Sequence, residues 1–175
     1  MKVNRVVVGD LEENCYILEK ENKILVIDPG DDFPKIKEAI QNREVLAILL
    51  THNHFDHIGA LKEALEEYKC PLYQKENMQE KKYIVGPFSF TVIFTEGHSK
   101  DSITYYFEEE KMMFVGDFIF AGTIGRCDLP TGNFNEMIKS LTKIKKYPNV
   151  TLYPGHGEST TLGREKKENP YFKEY

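Results

Sequence analysis

Cysteine is scarce in this chain of 175 residues, and the few cysteines present follow no pattern. Cys15, Cys70 and Cys127 are odd in number, far apart and free of any C-x-x-C spacing. The sequence therefore predicts neither a disulfide framework nor a zinc site made of thiolates. We interpret the three residues as free thiols that are buried or partly buried.

Long hydrophobic runs are also missing. No apolar stretch approaches the roughly 18 residues that a membrane-spanning helix needs. The N-terminus passes from Met1–Arg5 directly into a short β-branched run, without the long apolar stretch and cleavage site of a signal peptide. Hydrophobic residues make up 41% of the chain and charged residues 29%, an ordinary balance for a globular protein. We therefore expect a cytoplasmic protein that does not act at membranes.

The sequence also lacks an excess of positive charge. Lys and Arg number 23 against 28 Asp and Glu, which gives a formal net charge of −5. A protein that binds nucleic acid through its phosphates needs charge of the opposite sign. We therefore expect the partner of this chain to be a small-molecule substrate and not a nucleic acid.

The length fits one domain over residues 1–175, large enough to enclose an apolar core. Alternating and β-rich runs predict strands, and apolar residues at helical spacing predict helices. The predicted strands are Val3–Val8, Cys15–Leu18, Ile24–Ile27, Val45–Leu50, Tyr83–Val85, Phe88–Phe94, Ile103–Phe107, Met112–Val115 and Val150–Tyr153. The predicted helices follow Pro34, run from Ile58 to Tyr68 and run from Phe134 to Ile144. No element is assigned to the charged tail Gly163–Tyr175.

The chain contains five histidines, and each stands in a loop that ends a β-rich run. Three are crowded into the segment Thr51–His57, and the others are His98 and His156. Loops at strand ends are where catalytic groups gather on a rigid scaffold. A lone histidine is more often a core or surface residue, but five in this arrangement favour a shared functional site.

The crowded segment has the pattern of a metal site. Side chains alternate in an extended segment, so His52 and His54 can point the same way. Asp56 and His57, adjacent at the turn into a helix, can point to a neighbouring position. Imidazole and carboxylate ligands suit zinc, iron and manganese, and the lack of thiolates argues against a closed structural zinc site. With Asp117 as a further carboxylate at another strand end, two adjacent metal sites are expected.

At these residues the sequence closely resembles the metallo-β-lactamase superfamily. The superfamily signature H-x-H-x-D-H is met by His52, His54, Asp56 and His57. Further matches follow in the same order over nearly the whole chain, at Asp28-Pro29-Gly30, Gly97-His98-Ser99, Gly116-Asp117 and Gly155-His156-Gly157. The resemblance implies an α/β (α+β) fold, the four-layer αββα sandwich, in which two mixed β-sheets pack face to face with helices outside. It also implies metals in the cleft at the edges of the sheets.

The resemblance implies a role for each matching residue. One metal would be bound by His52, His54 and His98. A second would be bound by Asp56, His57 and His156, with Asp117 bridging the two. The expected cofactors are therefore two divalent ions, zinc first, with iron or manganese as alternatives. The predicted catalytic residues are His54, Asp56 and Asp117, and supporting positions that bind no metal fall at Asp28 and Thr51.

Two further stretches resemble the short glyoxalase II-like group of the superfamily. They are Gly116–Pro130, and Pro154–Glu158 together with Thr160–Gly163. That resemblance implies hydrolysis of a small hydroxyacyl thioester, nominally hydroxyacylglutathione, by a metal-bound hydroxide. Full-length glyoxalase II enzymes carry an extra C-terminal helical domain, for which the chain is expected to be too short. The loop Ser99–Ser102 also departs from the Thr-Pro-Gly-Ser turn that the family more often has.

Several alternatives stay open at this point. A mononuclear iron persulfide dioxygenase shares the H-x-H-x-D-H segment and a motif like Gly125–Asp128, although Gly155–Gly157 resembles the hydrolases. A hydrolase of another ester or of an amide is a further alternative. A binding module without chemistry is disfavoured, because all seven ligand positions are intact. Arg126 either binds an anionic substrate or forms a salt bridge with a carboxylate such as Asp128. The oligomeric state is not predicted.

Overall fold

Two mixed β-sheets form the centre of the protein, whose residues 1–175 are all described by the computed structural model. The strands of the first sheet are β1 (Lys2–Val8), β2 (Glu13–Lys20), β3 (Lys23–Ile27), β4 (Glu44–Leu49) and β5 (Leu72–Tyr73). They pair in that order, antiparallel from β1 to β3 and parallel from β3 to β5. The parallel pairs require crossover connections, which helices supply.

The second sheet lies against the first. Its strands are β6 (Lys82–Val85), β7 (Phe88–Phe94), β8 (Ile103–Phe107), β9 (Met112–Gly116), β12 (Thr151–Pro154) and β13 (Thr160–Thr161). The order across the sheet is β13-β12-β9-β8-β7-β6, and only β12 and β9 are parallel. A separate hairpin of β10 (Ile119–Phe120) and β11 (Thr123–Ile124) follows β9.

Three apolar layers hold these sheets and the helices together. The middle layer joins the two sheets and is rich in aromatic rings, among them Phe88, Phe90, Tyr105 and Phe114. The outer face of the first sheet is covered by α1 (Phe33–Ile40) and α3 (Leu61–Tyr68). The outer face of the second sheet is covered by α4 (Phe134–Ile144), α5 (Leu162–Glu168) and α6 (Pro170–Glu174). The predicted αββα sandwich is therefore confirmed.

The helix predicted from Ile58 to Tyr68 is in fact two helices. A single short turn, α2 (Phe55–Ile58), precedes α3, and Gly59 and Ala60 separate them. The amide of Ala60 donates to the carbonyl oxygen of Pro29, 3.0 Å away. This hydrogen bond connects the end of the histidine-rich segment to the Asp-Pro-Gly turn after β3.

The tail that carries no predicted element contains α5 and α6. Thr161 and Asn169 cap their N-termini, and Leu162 and Phe172 bury their side chains in the outer layer. Long-range packing, which sequence periodicity does not report, stabilises these short helices. No helix in the structure is both long and apolar enough to cross a membrane. The three cysteines are free thiols, of which Cys15 is buried.

Candidate metal centre

The loops that carry the seven predicted ligands meet at one edge of the sandwich. His52 and His54 lie just after β4, and α2 contains Asp56 and His57. The second half of the chain supplies the remaining three residues after the strands β7, β9 and β12, in the order His98, Asp117 and His156. Contacts among these side chains show that the structure brings all seven together.

Six of these residues form two groups of three, hereafter called the first triplet and the second triplet. In the first triplet, His52, His54 and His98 place one nitrogen each within 4.8 Å of one another. In the second triplet, one oxygen and two nitrogens satisfy the same limit in Asp56, His57 and His156. These are the two groups that the resemblance predicts, and metal binding by each of them stays a prediction.

Asp117 lies between the two triplets. One of its carboxylate oxygens, Oδ1, is 3.3 Å from Nε2 of His57 in the second triplet. The other oxygen, Oδ2, is 3.5 Å from Nε2 of His98 and 3.6 Å from Nε2 of His156. A single carboxylate therefore faces both triplets, as a bridging ligand must.

Hydrogen bonds outside the centre orient the imidazole rings of His98 and His156. Nδ1 of His98 donates to the carbonyl oxygen of Arg126 at 2.8 Å, and Nδ1 of His156 donates to that of Leu11 at 3.0 Å. A carbonyl oxygen only accepts, so Nδ1 of each ring is the donor in these hydrogen bonds. Nε2 of each ring then faces the centre.

Asp28 orients two further rings. Its Oδ2 accepts from Nδ1 of His57 at 2.8 Å and from the hydroxyl of Thr51 at 2.5 Å. Because the Thr51 hydroxyl donates its hydrogen bond to Asp28, its oxygen accepts from Nδ1 of His52 at 3.1 Å. One buried carboxylate thus fixes both rings with Nε2 inward, as outer partners of metal-binding histidines do.

Several polar atoms that face the centre have no hydrogen-bond partner within the protein. Nε2 of His52, Nε2 of His57 and Oδ1 of Asp117 are buried and unpaired. Nδ1 of His54 and Nε2 of His98 face each other at 2.9 Å, and Nε2 of His156 faces Oδ2 of Asp56 at 3.0 Å. Buried polar atoms without partners are costly, so each needs an explanation. A cation in each triplet would satisfy them, and the residues present therefore fit two divalent metal ions.

Burial favours the neutral imidazoles of His52 and His54 in the first triplet, whereas nearby carboxylates, acting against burial, raise the pKa of His57 and His156. Burial lowers the pKa of His52 well below its ordinary value and also lowers the pKa of His54. Burial opposes ionisation of Asp117, but the neighbouring imidazoles, above all that of His57, hold the pKa of this carboxyl well below its usual range. Neutral imidazole and ionised carboxylate are the forms that bind a metal.

Two glycines allow the loops of the second sheet to approach the centre. A Cβ at Gly155 would lie 2.3 Å from Oδ1 of Asp117. At Gly116, a Cβ would lie 2.4 Å from the hydroxyl oxygen of Thr51, and the backbone there has a φ of +53°. Any larger residue at either position would displace a side chain of the site or strain the backbone.

Two supporting residues, Glu13 and Asn14, are not identified by the sequence analysis. The side chain of Asn14 donates to the carbonyl oxygen of Pro154 at 3.0 Å, and Glu13 forms an isolated β-bridge with His156. One carboxyl oxygen of Glu13 lies 3.6 Å from Nδ1 of His57, and burial raises the pKa of that carboxyl well above its ordinary value. Their one sequence signal is a polar pair directly before the apolar run Cys15–Leu18.

A cavity of about 410 Å³ opens beside the centre and is hereafter called the cleft. It is lined by Leu11, His54, Phe55, Asp56, His98, Asp117, Arg126, Leu129 and Pro130. The guanidinium of Arg126 forms two hydrogen bonds with the carboxylate of Asp128, at 2.7 and 2.8 Å. The salt bridge, one of the two predicted roles, is therefore present, and contact of Arg126 with a substrate stays a prediction.

Comparison with known proteins finds relatives along the whole chain. A family model described as the metallo-β-lactamase superfamily matches residues 8–76 and 79–156. The chain is 34% identical to the "Probable metallo-hydrolase YqgX" of Bacillus subtilis (strain 168), over 98% of this chain and 97% of that protein. It is 26% identical to the "Hydroxyacylglutathione hydrolase GloC" of Haemophilus influenzae, over 98% of each protein.

Solved structures share the fold over nearly the full length. BLEG-1, a B3 metallo-β-lactamase, superposes with a TM-score of 0.93 at 29% identity, covering 98% of this chain and 99% of that one. TTHA1623 in a di-iron-bound form superposes with a TM-score of 0.88 at 32% identity, covering 97% of this chain and 100% of that one. ETHE1 from Myxococcus xanthus superposes with a TM-score of 0.87 at 25% identity, covering 97% of this chain and 84% of that one.

Proposed function

Because the chain belongs to the metallo-β-lactamase superfamily, we propose that it is a thioester hydrolase of the glyoxalase II-like kind that holds two divalent metal ions. In this reaction the oxygen of water forms a bond to the acyl carbon and the carbon–sulfur bond breaks. The sulfur leaves with the electron pair. A carboxylate, a thiol and one proton are the products.

One observation carries the metal-dependent part of the proposal. Buried, unpaired nitrogen and oxygen atoms from both halves of the chain converge in two adjacent triplets with Asp117 between them. The thioester part is supported by the likeness to the hydroxyacylglutathione hydrolase GloC, which extends over 98% of the chain. The acyl group and the thiol are proposals at the level of chemical class only.

Two divalent ions, when bound, supply polarisation of the thioester carbonyl and lower the pKa of water from about 15.7 to about 7. The first triplet would hold one ion and the second triplet the other. Asp117 would contact both. Zinc suits this set of nitrogen and oxygen ligands, as do iron and manganese.

The side chains beside the cleft have defined tasks in this proposal. Asp56 and Asp117 are ionised, because neighbouring imidazoles lower the pKa of both carboxyls against the effect of burial. Their oxygens accept hydrogen bonds from the attacking water and orient it toward the acyl carbon. A thiol has an ordinary pKa of about 8.5, so the thiolate leaves without a strong general acid. Burial raises the pKa of Cys127, which suits a packing residue and not a nucleophile.

A lactam or another amide is the second candidate substrate. The observation that favours it is the likeness to the B3 metallo-β-lactamase BLEG-1, with 29% identity over 98% of the chain. An amide nitrogen is a poorer leaving group than a thiolate and needs a proton donor. Among the cleft residues, Arg126 alone carries a permanent positive charge, and it is paired with Asp128. We therefore rank the thioester first.

A persulfide dioxygenase is the remaining candidate, favoured by the Gly-Arg-x-Asp motif at residues 125–128. Such an enzyme uses one iron and consumes oxygen. The second triplet is complete and faces Asp117, which supports a two-metal hydrolase. Metal analysis together with oxygen uptake on a persulfide separates the two candidates.

The test is turnover of a panel of thioesters by protein reconstituted with zinc, iron or manganese. We expect two metal ions per chain and release of free thiol. Asp56→Asn should lower kcat by about 100-fold or more, because a water-orienting carboxylate is lost. Glu108→Gln, a change in the exposed turn between β8 and β9, is the matched control. Turnover of lactams with no release of thiol from any thioester would reject the proposal.

A further inference from the structure

Two large apolar side chains at the mouth of the cleft are exposed to solvent. Phe55 is 74% exposed and Leu11 is 53% exposed, and few other large hydrophobic residues of the chain are so accessible. Both residues line the cleft and also a neighbouring cavity, and Asp56 lines both cavities as well. Exposed apolar side chains that gather beside a cavity indicate a surface that a ligand covers.

The apolar surface continues along the cleft. Leu129 and Pro130, from the segment that leads away from Asp117, line the same cavity as Phe55 and Leu11. The metal-facing groups His54, Asp56, His98 and Asp117 line it as well. If the carbonyl group of a bound molecule lies at the metal centre, the rest of that molecule therefore lies beside apolar side chains of the cleft.

Charge around the cleft does not complement an anionic carrier. The guanidinium of Arg126 is already paired with Asp128. The two cavities beside the cleft carry four further carboxylates and one amine, which belong to Asp10, Asp31, Glu76, Asp101 and Lys100. A thiol carrier with several carboxylates would meet like charge at this rim, which disfavours its binding.

From these observations we infer that the substrate is a thioester with an apolar alkyl or aryl group, which lies along Phe55, Leu11 and Leu129. The inference rests on the proposed thioester hydrolysis and narrows its substrate class. The apolar group belongs to either the acyl part or the thiol part of the substrate, and the first experiment distinguishes these two possibilities. Phe55 and Leu129 are assigned as specificity-determining residues, since they touch the substrate away from the reacting atoms.

The first experiment compares two series of thioesters with the zinc-loaded full chain. One series lengthens the acyl group from acetyl to butyryl to hexanoyl on the neutral thiol N-acetylcysteamine. The other keeps the acetyl group and lengthens an alkyl thiol. We expect kcat/KM to rise by about two- to fourfold per methylene in one of the series, because each buried methylene favours binding by this factor. The acetyl thioester of glutathione should be a poorer substrate than the hexanoyl thioester of N-acetylcysteamine.

Variants then locate the effect in the cleft. Phe55→Ala and Leu129→Ala should flatten the dependence of kcat/KM on chain length, and Phe55→Leu should restore most of it. Ile84→Ala is the matched control, because Ile84 is 76% exposed on β6 and lines none of the three cavities at the centre. It should leave the dependence unchanged.

Two different failures are distinguishable. If short thioesters are hydrolysed but kcat/KM is flat or falls with chain length in both series, the apolar substrate class is wrong and the proposed function stands. If the metal-loaded protein hydrolyses no thioester in either series or on glutathione, the proposed function itself is wrong.

Discussion

Asp101 lies in the loop Ser99–Ser102, which departs from the turn that the family resemblance implies, and its side chain joins the two loops of the first triplet. Its carboxylate accepts a hydrogen bond at 2.8 Å from the backbone amide of Asn53, the residue between His52 and His54. Asp101 itself belongs to the loop that begins at His98. At the scale of single residues, the departure from the family pattern therefore has a structural consequence in this chain.

We expect Asp101→Gly to weaken binding of metal by the first triplet by about five- to tenfold, because one hydrogen bond to a charged group is lost and the loop gains freedom. Competition of zinc between the protein and a chromophoric chelator measures this affinity. Asp101→Asn keeps an acceptor oxygen and should stay within about twofold of the original chain. Equal affinities for all three proteins would show that the contact has no part in the site.

The residues of the candidate metal centre and the supports Asp28 and Thr51 are predictable from the sequence and its family resemblance, whereas the support from Asn14 is not. His52, His54 and Asp56 lie within five positions, so their spacing alone indicates a metal site. Asn14 supports the site through Pro154, which is 140 positions away in the chain. A contact over that distance leaves no local pattern, because only the folded sheets bring its two residues together.

At the scale of elements, α5 holds the hairpin that follows the candidate bridging residue. The buried carboxylate of Glu165 accepts from the hydroxyl of Thr160 at 2.5 Å and from the amide of Gly122 in the hairpin at 2.9 Å. Asn169, just after the helix, donates to the same carboxylate and to the carbonyl oxygen of Thr123, both at 2.9 Å. The hairpin has only two strands of two residues, so it depends on these contacts.

Glu165→Ala should therefore lower the free energy of unfolding by about 2–4 kcal/mol, because the buried donors of Thr160 and Asn169 and the amide of Gly122 lose their acceptor. In a chain of this size the Tm should fall by about 5–15 °C. Thermal unfolding followed by circular dichroism measures both changes. Glu168→Ala on the same helix is the matched control, because Glu168 is exposed and pairs only with Arg164. That variant should lose less than about 1 kcal/mol, and an equal loss in both variants would contradict the role of Glu165.

Long elements with a clear apolar period are predicted well. Phe88–Phe94, Ile103–Phe107 and the helix from Phe134 to Ile144 have the predicted bounds. Apart from α5 and α6, the elements that are not predicted are very short: β5, β13 and the strands of the hairpin have two residues each. Two residues are too few to show a period, and their conformation follows from neighbours in space. The packing of the sheets face to face was implied by the family resemblance and not by periodicity.

At the scale of the whole molecule, each triplet joins the two halves of the sandwich. The first triplet takes His52 and His54 from the first sheet's side and His98 from the second. The second triplet combines Asp56 and His57 with His156 in the same way. Contacts that need no metal join the halves as well, since the hydroxyl of Tyr16 on β2 donates to the carbonyl oxygen of Pro154 on β12 at 2.6 Å.

Removal of metal should therefore weaken the fold without abolishing it. An ion present at 100 times its Kd stabilises the folded chain by about 2.7 kcal/mol, so two ions together contribute about 5 kcal/mol. We expect chelation to lower the Tm by about 10–20 °C and unfolding to remain cooperative, because the apolar layers and the bond from Tyr16 persist. Calorimetry with and without chelator, with metal content measured on the same samples, tests this.

Variants show whether the stabilisation arises at the junction of the two halves. His98→Ala removes the second sheet's ligand from the first triplet, and His156→Ala does the same for the second triplet. Each should reduce the metal-dependent rise in Tm by roughly half, while Glu108→Gln should leave it unchanged. Independent effects would add in the double variant, which should then be nearly insensitive to zinc. If the metal content falls to zero on chelation and the Tm of the original chain does not change, the ions do not link the two halves.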